Sequence, residues 1–143
     1  PPVVCVTNGA DGLCGSPDRT TPSVRLAAPL EGKRFTRAKA PRTLKGSVTT
    51  GPSGIAKIEL RITRRTGARC VMYDGARERF VRMARCGAER GVWFPVGTSA
   101  DWSYLLPGPL ARGRYVVDVR VTDRAGNTTT LARGTTRSVF HVV

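Results

Sequence analysis

The chain of 143 residues and 15.4 kDa has the size of one domain and leaves little room for a second complete core. Its 24 Lys and Arg residues outnumber its 10 Asp and Glu residues, and the net charge of +14 favours a negatively charged partner. The sequence has no run of about 18 apolar residues that would span a membrane, and its 16 Gly and 10 Pro argue against a helical bundle. Without a starting Met or a signal-type apolar stretch, we read it as a soluble chain that has been processed or excised.

The N-terminal segment, residues 1–20, is rich in Gly and Asp and is predicted to be an arm or linker ahead of a domain at residues 21–143. A short strand is predicted around Val3, Val4 and Val6. Such a strand can pair with the exposed edge of a neighbouring subunit's sheet, as in filaments whose subunits exchange strands. The segment is therefore a candidate assembly arm.

The first strands of the domain are predicted at residues 23–27 and 43–48, and between them lies a loop in which all charged residues but Glu31 are basic. A turn is predicted at residues 51–54. The strand after it, residues 56–63, shows the clearest alternation of apolar and polar residues, which indicates one face in the core and the other in water. The apolar positions are Ala56, Ile58, Leu60 and Ile62.

Residues 68–84 predict a β-hairpin, because two apolar runs flank Asp74-Gly75, a dipeptide typical of hairpin turns. A bridge between Cys70 and Cys86 would tie the open end of this hairpin. In the loop-entropy model a closed loop of about 15 residues contributes on the order of 3 kcal/mol to stability.

The four cysteines form two pairs that are close in sequence, Cys5 with Cys14 and Cys70 with Cys86. Two disulfides would indicate an oxidising, extracytoplasmic compartment. Zinc is the alternative, although its sites use closely spaced Cys or added His ligands. The single histidine, His141, lies at the far end of the chain.

Further strands are predicted at residues 91–96, 102–106, 115–122 and 138–143. About seven to nine strands at this spacing predict an all-β fold, an antiparallel two-sheet sandwich of the immunoglobulin type. A barrel is the alternative architecture. Within residues 115–122 the alternating positions are Tyr115, Val117, Val119 and Val121.

Residues 110–127 contain Gly113-Arg114-Tyr115, an alternating strand, and Asp123-Arg124-Ala125-Gly126-Asn127. This pattern resembles the penultimate strand and turn of bacterial Ig-like domains, and the resemblance covers residues 22–143. It implies an immunoglobulin-like sandwich from a secreted or cell-surface protein of a high-GC Gram-positive bacterium. It leaves the function open, since such modules serve as spacers, adhesins, sugar-binding domains and filament subunits.

The turn residues Asp123, Gly126 and Asn127 are predicted to have a structural role. Short polar side chains such as Asp and Asn bond nearby backbone amides, and Gly accepts the positive φ of a tight reversal. Tyr115 is predicted to bury its ring and to bond its hydroxyl to the backbone, in the manner of a tyrosine corner.

Positive charge is concentrated at residues 33–45 and 61–90. If both stretches lie on one side of the sandwich, they form a cationic surface suited to an acidic polysaccharide or cell-wall polymer. A solvated face is the alternative, and a GC-rich genome would produce an excess of arginine without any function. Specific nucleic-acid binding is not expected, because Tyr73 and Phe80 are needed for packing. The predicted polyanion-binding residues are Arg64, Arg65, Arg69, Arg77, Arg79, Arg82 and Arg85.

No catalytic residue, cofactor or metal site is predicted. A Ser-His-Asp site would have to use His141, and no nucleophile motif accompanies it. Calcium bound by Asn8, Asp11 and Asp18 is an alternative for the N-terminal segment, but the spacing does not match an EF-hand loop.

The sequence therefore predicts a non-catalytic, extracellular or cell-surface module with a structural or adhesive role. Its expected partners are further copies of the same chain, joined through the N-terminal arm in a filament or surface layer, or neighbouring domains of a larger surface protein. The alternative is a binding module that holds an acidic cell-wall polymer or polysaccharide through the arginine-rich hairpin.

Overall fold

The computed structural model describes residues 18–143, which form ten β-strands and two short 3-10 helices. The helices span Arg37–Lys39 and Ala88–Arg90. The strands are β1 Ser23–Ala28, β2 Arg34–Phe35, β3 Thr43–Thr49, β4 Ile55–Thr66, β5 Arg69–Asp74, β6 Arg79–Arg82, β7 Phe94–Pro95, β8 Asp101–Leu105, β9 Gly113–Asp123 and β10 Arg137–Val142.

The strands form two sheets, and the predicted all-β sandwich is confirmed. The small sheet has the order β1-β3-β8. The large sheet has the order β2-β10-β9-β4-β5-β6, with β7 also paired to β4. All pairings are antiparallel except that of β2 with β10. No helix within the described range has the length and apolar character of a membrane span.

The core lies between the sheets and follows the period-two patterns of the two longest strands. Ile58, Leu60 and Ile62 of β4 are at most 2% exposed, and so are the four alternating residues of β9 that begin at Tyr115. Alternating side chains point to the same face of a strand, so these two patterns are enough to place both strands at the centre of the large sheet. Ala56 was predicted to join this face but is exposed, because a β-bulge between Ile55 and Lys57 shifts the alternation.

The prediction that the second face of β4 lies in water is wrong at Arg61 and Thr63, which are each only 7% exposed. Trp93 covers this face, and its ring centroid lies 4.4 Å from the Arg61 guanidinium carbon. Buried cations need compensating negative charge. Asp118, 1% exposed on the adjacent strand, supplies it.

Asp118 holds two arginines on this outer face of the large sheet. Its carboxylate accepts hydrogen bonds from Arg61 Nη2 at 2.8 Å and from Arg137 Nε at 2.6 Å. The bonds to Asp118 raise the pKa of Arg137. Because Arg61, Asp118 and Arg137 come from β4, β9 and β10, this one carboxylate ties the three central strands together.

The turn after β9 is tied to the beginning of the described chain. The Asp123 carboxylate accepts hydrogen bonds from the backbone amides of Ala125 and Asn127, and Gly126 has a φ of 92°. Asn127 Nδ2 donates to the Asp18 carbonyl oxygen at 2.8 Å. The Asp18 carboxylate in turn accepts a hydrogen bond from the Ser53 hydroxyl, so three segments meet at this end of the sandwich.

The first prediction concerns the buried carboxylate of Asp118. Asp118→Asn removes the negative charge that Arg61 and Arg137 share, and breaking a buried ion pair leaves an uncompensated charge. We expect the free energy of unfolding to fall by about 3 kcal/mol in urea titrations. Asp101→Asn is the matched control, since Asp101 is exposed and makes no ion pair with a described residue, and its expected effect is below about 0.5 kcal/mol. Equal effects of the two variants would contradict this role.

The second prediction concerns how the stability of the fold changes at low pH. The hydrogen bonds from the Ser53 hydroxyl and the Thr20 amide lower the pKa of Asp18. A lowered pKa in the folded state means that the ionised side chain stabilises the fold above about pH 3.9, and that this stabilisation is lost as pH falls through the folded-state pKa. We expect Asp18→Asn to be less stable than the wild type at neutral pH, and the difference to shrink below about pH 3.

Urea unfolding at neutral pH and below about pH 3 measures the difference in stability between Asp18→Asn and the wild type. Ser53→Ala should reproduce part of this difference, because it removes the hydroxyl that donates to Asp18. A difference between Asp18→Asn and the wild type that does not change with pH would show that Asp18 does not act through its charge.

Candidate functional site

The predicted hairpin is formed by β5 and β6, and a disulfide joins Cys70 to Cys86 across its open end. Within the hairpin Val71 pairs with Arg82 and Tyr73 pairs with Phe80. The turn spans residues 75–78, where Glu78 has the left-handed φ of 55°. A bulky residue in this conformation stores strain of about 1 kcal/mol or more, and such positions concentrate at functional sites.

Strand pairing places one row of residues across the inner face of the large sheet. Tyr115 of β9 pairs with Arg64 of β4, Arg64 pairs with Val71 of β5, and Val71 pairs with Arg82 of β6. Nearer the core the same face carries Ile62 and Tyr73, which are both buried. This row lies at the edge of the core, so the side chains of its arginines extend into solvent.

Five arginines line one open cleft of about 500 Å³ at this edge of the sandwich. Three are from the large sheet, one from the first 3-10 helix, and one from the loop before β9. We call this cleft the arginine groove. Its arginines are Arg37, Arg64, Arg69, Arg82 and Arg112, and its remaining lining residues are Thr66, Cys70, Val71 and Ala111.

No carboxylate lines the arginine groove, and none of its five arginines forms an ion pair with any residue in the range 18–143. Like charges in one cleft repel each other, and an anion that enters relieves this repulsion. The guanidinium group also matches carboxylate and phosphate bidentately, whereas Lys acts as a point charge. The groove therefore has the chemistry of an anion-binding site.

Arg64 is the least exposed of these arginines and sits at the base of the arginine groove. Its Nε is buried and has no hydrogen-bond partner among the described residues. Its guanidinium carbon lies 5.6 Å from the Phe80 ring centroid, which holds the side chain by a cation–π contact. Beside it, burial raises the pKa of the Tyr115 hydroxyl, which donates to the Ala111 carbonyl oxygen at 2.6 Å, and the Arg64 guanidinium opposes that rise.

The structure sorts the seven predicted polyanion-binding arginines into two groups. Arg64, Arg69 and Arg82 meet in the arginine groove. The other four do not join them. Arg65 points to the opposite face of β4 and donates to the Gly67 carbonyl oxygen, and Arg77 pairs with Asp74 at 3.6 Å. Arg79 lines another cavity, and Arg85 lines a third one, which shares Arg82 with the arginine groove.

Two groove residues were not among the predicted site residues. Arg37 belongs to the basic stretch at 33–45, which the structure brings to the same side as the hairpin, so the composition carried a signal for it. Arg112 lies in the loop before β9, and nothing in the neighbouring sequence indicated that it belongs to the site. Its position depends on the fold, because Thr66 at the end of β4 donates a hydrogen bond to the Arg112 carbonyl oxygen.

Several predicted residues lie outside the described part of the chain. These are the assembly-arm residues Val3, Val4 and Val6, the cysteine pair Cys5 and Cys14, and the calcium candidates Asn8 and Asp11. Asp18, the third calcium candidate, is hydrogen bonded to Ser53 and Thr20. Residues 18–143 contain no cluster of three or more His, Cys, Asp or Glu side chains that could hold a metal ion.

Comparison with known proteins gives a family. The model of a bacterial Ig-like domain family matches residues 11–138, which is most of the chain. Domains of this family are typically extracellular or surface modules and are generally non-catalytic. A search of curated proteins gives no match. The two-sheet sandwich agrees with the family match, and the chain belongs to the bacterial Ig-like domain family.

Proposed function

We propose that this chain is a non-catalytic surface module that binds an acidic polymer in the arginine groove. The observation that supports the proposal is the meeting of five arginines in one open cleft that no carboxylate of residues 18–143 lines. The proposal takes up the binding function predicted for the arginine-rich hairpin and narrows it to the hairpin's open end, where Arg64, Arg69 and Arg82 lie. Self-association through the N-terminal arm stays a prediction, because the predicted arm strand with Val3, Val4 and Val6 lies outside the described residues.

The arginines of the groove come from distant parts of the chain, which separates the site from a simple basic run. Arg37 and Arg112 are on either side of the hairpin in sequence, and they reach the cleft only after the sandwich has formed. An excess of arginine that came from base composition alone would not explain why these five share one cleft. It would also not explain why the scarce carboxylates pair with arginines elsewhere.

A polymer fits this site better than a small anion. The cleft is open, and Arg37, Arg69, Arg82 and Arg112 are all exposed, so each contact is weakened by water and salt. Several such contacts made at once by one chain of acidic groups add up, and the release of condensed counterions contributes to the binding free energy. The polymers expected at a bacterial surface module are acidic polysaccharides and cell-wall polymers.

The third prediction tests the groove by charge-matched variants of the full chain. The groove variant carries Arg69→Ser, Arg82→Ser and Arg112→Ser, and the control carries Arg19→Ser, Arg25→Ser and Arg124→Ser at exposed positions elsewhere on the surface. Both variants lose the same net charge. With polygalacturonate as the probe in isothermal titration calorimetry, we expect the groove variant to bind at least about tenfold more weakly, and the control within about twofold of the wild type.

The salt dependence gives a second readout for the same proteins. The slope of log affinity against log salt should become shallower in the groove variant, because fewer counterions are released, and should change little in the control. Equal loss in both variants would show that only the overall charge matters. A wild-type protein that does not bind polygalacturonate or polyphosphate at low salt would overturn the proposed function.

A further inference from the structure

We propose that the apolar cavity beside the arginine groove is a subsite for a sugar ring, so that the acidic polymer is a polysaccharide rather than a chain of bare phosphates. This inference rests on the proposed function of the groove. The cavity has a volume of about 340 Å³, within the range of small-molecule sites. It is lined by Tyr73, Glu78, Arg79, Phe80 and the loop of residues 106–110.

The cavity and the arginine groove are consecutive positions on the same two strands. Val71 and Arg82 pair in the groove. Tyr73 and Phe80, each two residues nearer the hairpin turn on its own strand, pair in the cavity. Residues two apart on a strand point to the same face and are about 7 Å from each other. A polymer whose acid lies in the groove therefore places its next group at the cavity.

The loop before β9 also joins the arginine groove to the cavity. Residues 106–110 line the cavity, and the residues that follow directly, Ala111 and Arg112, line the groove. Between the two lies the contact of Arg64 with Phe80. Arg64 faces the groove and Phe80 faces the cavity, so one contact forms part of both walls.

The lining of the cavity suits a sugar ring better than a phosphate. Phe80, Pro107 and Pro109 offer apolar surface for the C–H face of a ring. Of the residues that the structure describes, only Glu78 and Arg79 bring charged side chains to the cavity, and both are exposed. The Glu78 carboxylate forms no ion pair with a described residue, and it can accept hydrogen bonds from ring hydroxyls, which a chain of bare phosphates does not offer.

Gly108 gives a way to close the cavity without touching the groove. A Cβ at this position meets no atom within 4 Å, and its φ lies outside the positive range that only glycine adopts readily. Gly108→Trp should therefore fold, and because Gly108 itself lines the cavity, we expect the indole ring to occupy the space at the cavity. Ser103→Trp, at an exposed position of β8, is the matched control, and thermal unfolding checks that both variants are folded.

Calorimetry on variants of the 143-residue chain with two probes, polygalacturonate and inorganic polyphosphate, tests the proposal. We expect Gly108→Trp to weaken polygalacturonate binding at least about fivefold and to leave polyphosphate binding within about twofold, with Ser103→Trp unchanged for both.

The outcomes separate the two proposals. If the wild type binds neither probe, the groove itself is not an anion site and both proposals fail. If the wild type binds both probes and Gly108→Trp changes neither affinity, or changes both equally, the groove stands and the sugar subsite is overturned. Binding of polyphosphate alone would also overturn the subsite while the groove stands.

Discussion

Carboxylates are the scarce component of this chain, and their placement decides which arginines remain unpaired. Ten acidic residues face 24 basic ones. Asp118 neutralises two arginines in the outer face of the large sheet, Glu59 pairs with Arg120, and Glu31 pairs with Arg133. Asp18 and Asp123 are engaged in the turns at one end. Among the described residues, no carboxylate lines the cleft at the hairpin's open end, and the arginine groove is the result.

The sandwich itself follows from local patterns in the sequence. The alternation in β4 and β9, the turn residues between strands and the resemblance to bacterial Ig-like domains were sufficient for the fold. The error at Arg61 has a different origin. A polar residue that alternates with apolar ones reads as exposed, and only the tertiary structure shows that Trp93 covers it and that Asp118 compensates its charge.

The candidate site was predictable only in part, because the sequence shows local patterns and does not show tertiary contacts. The density of arginines in the hairpin pointed to Arg64, Arg69 and Arg82. It could not separate them from Arg65, which alternation on β4 turns to the other face, or from Arg77, which Asp74 neutralises. Arg112 is held at the groove by a long-range hydrogen bond from the Thr66 hydroxyl to its carbonyl oxygen, and no local pattern reports that kind of contact.

The most direct test of the account observes the arginines themselves. NMR spectra of the Nε–Hε groups, recorded while an oligogalacturonate is added to the 143-residue chain, report which guanidinium groups meet the ligand. A binding site in the arginine groove predicts saturable shifts confined to Arg37, Arg64, Arg69, Arg82 and Arg112 and their immediate neighbours. Small shifts spread evenly over all exposed arginines would contradict it, because they would show a diffuse cationic surface in place of a site.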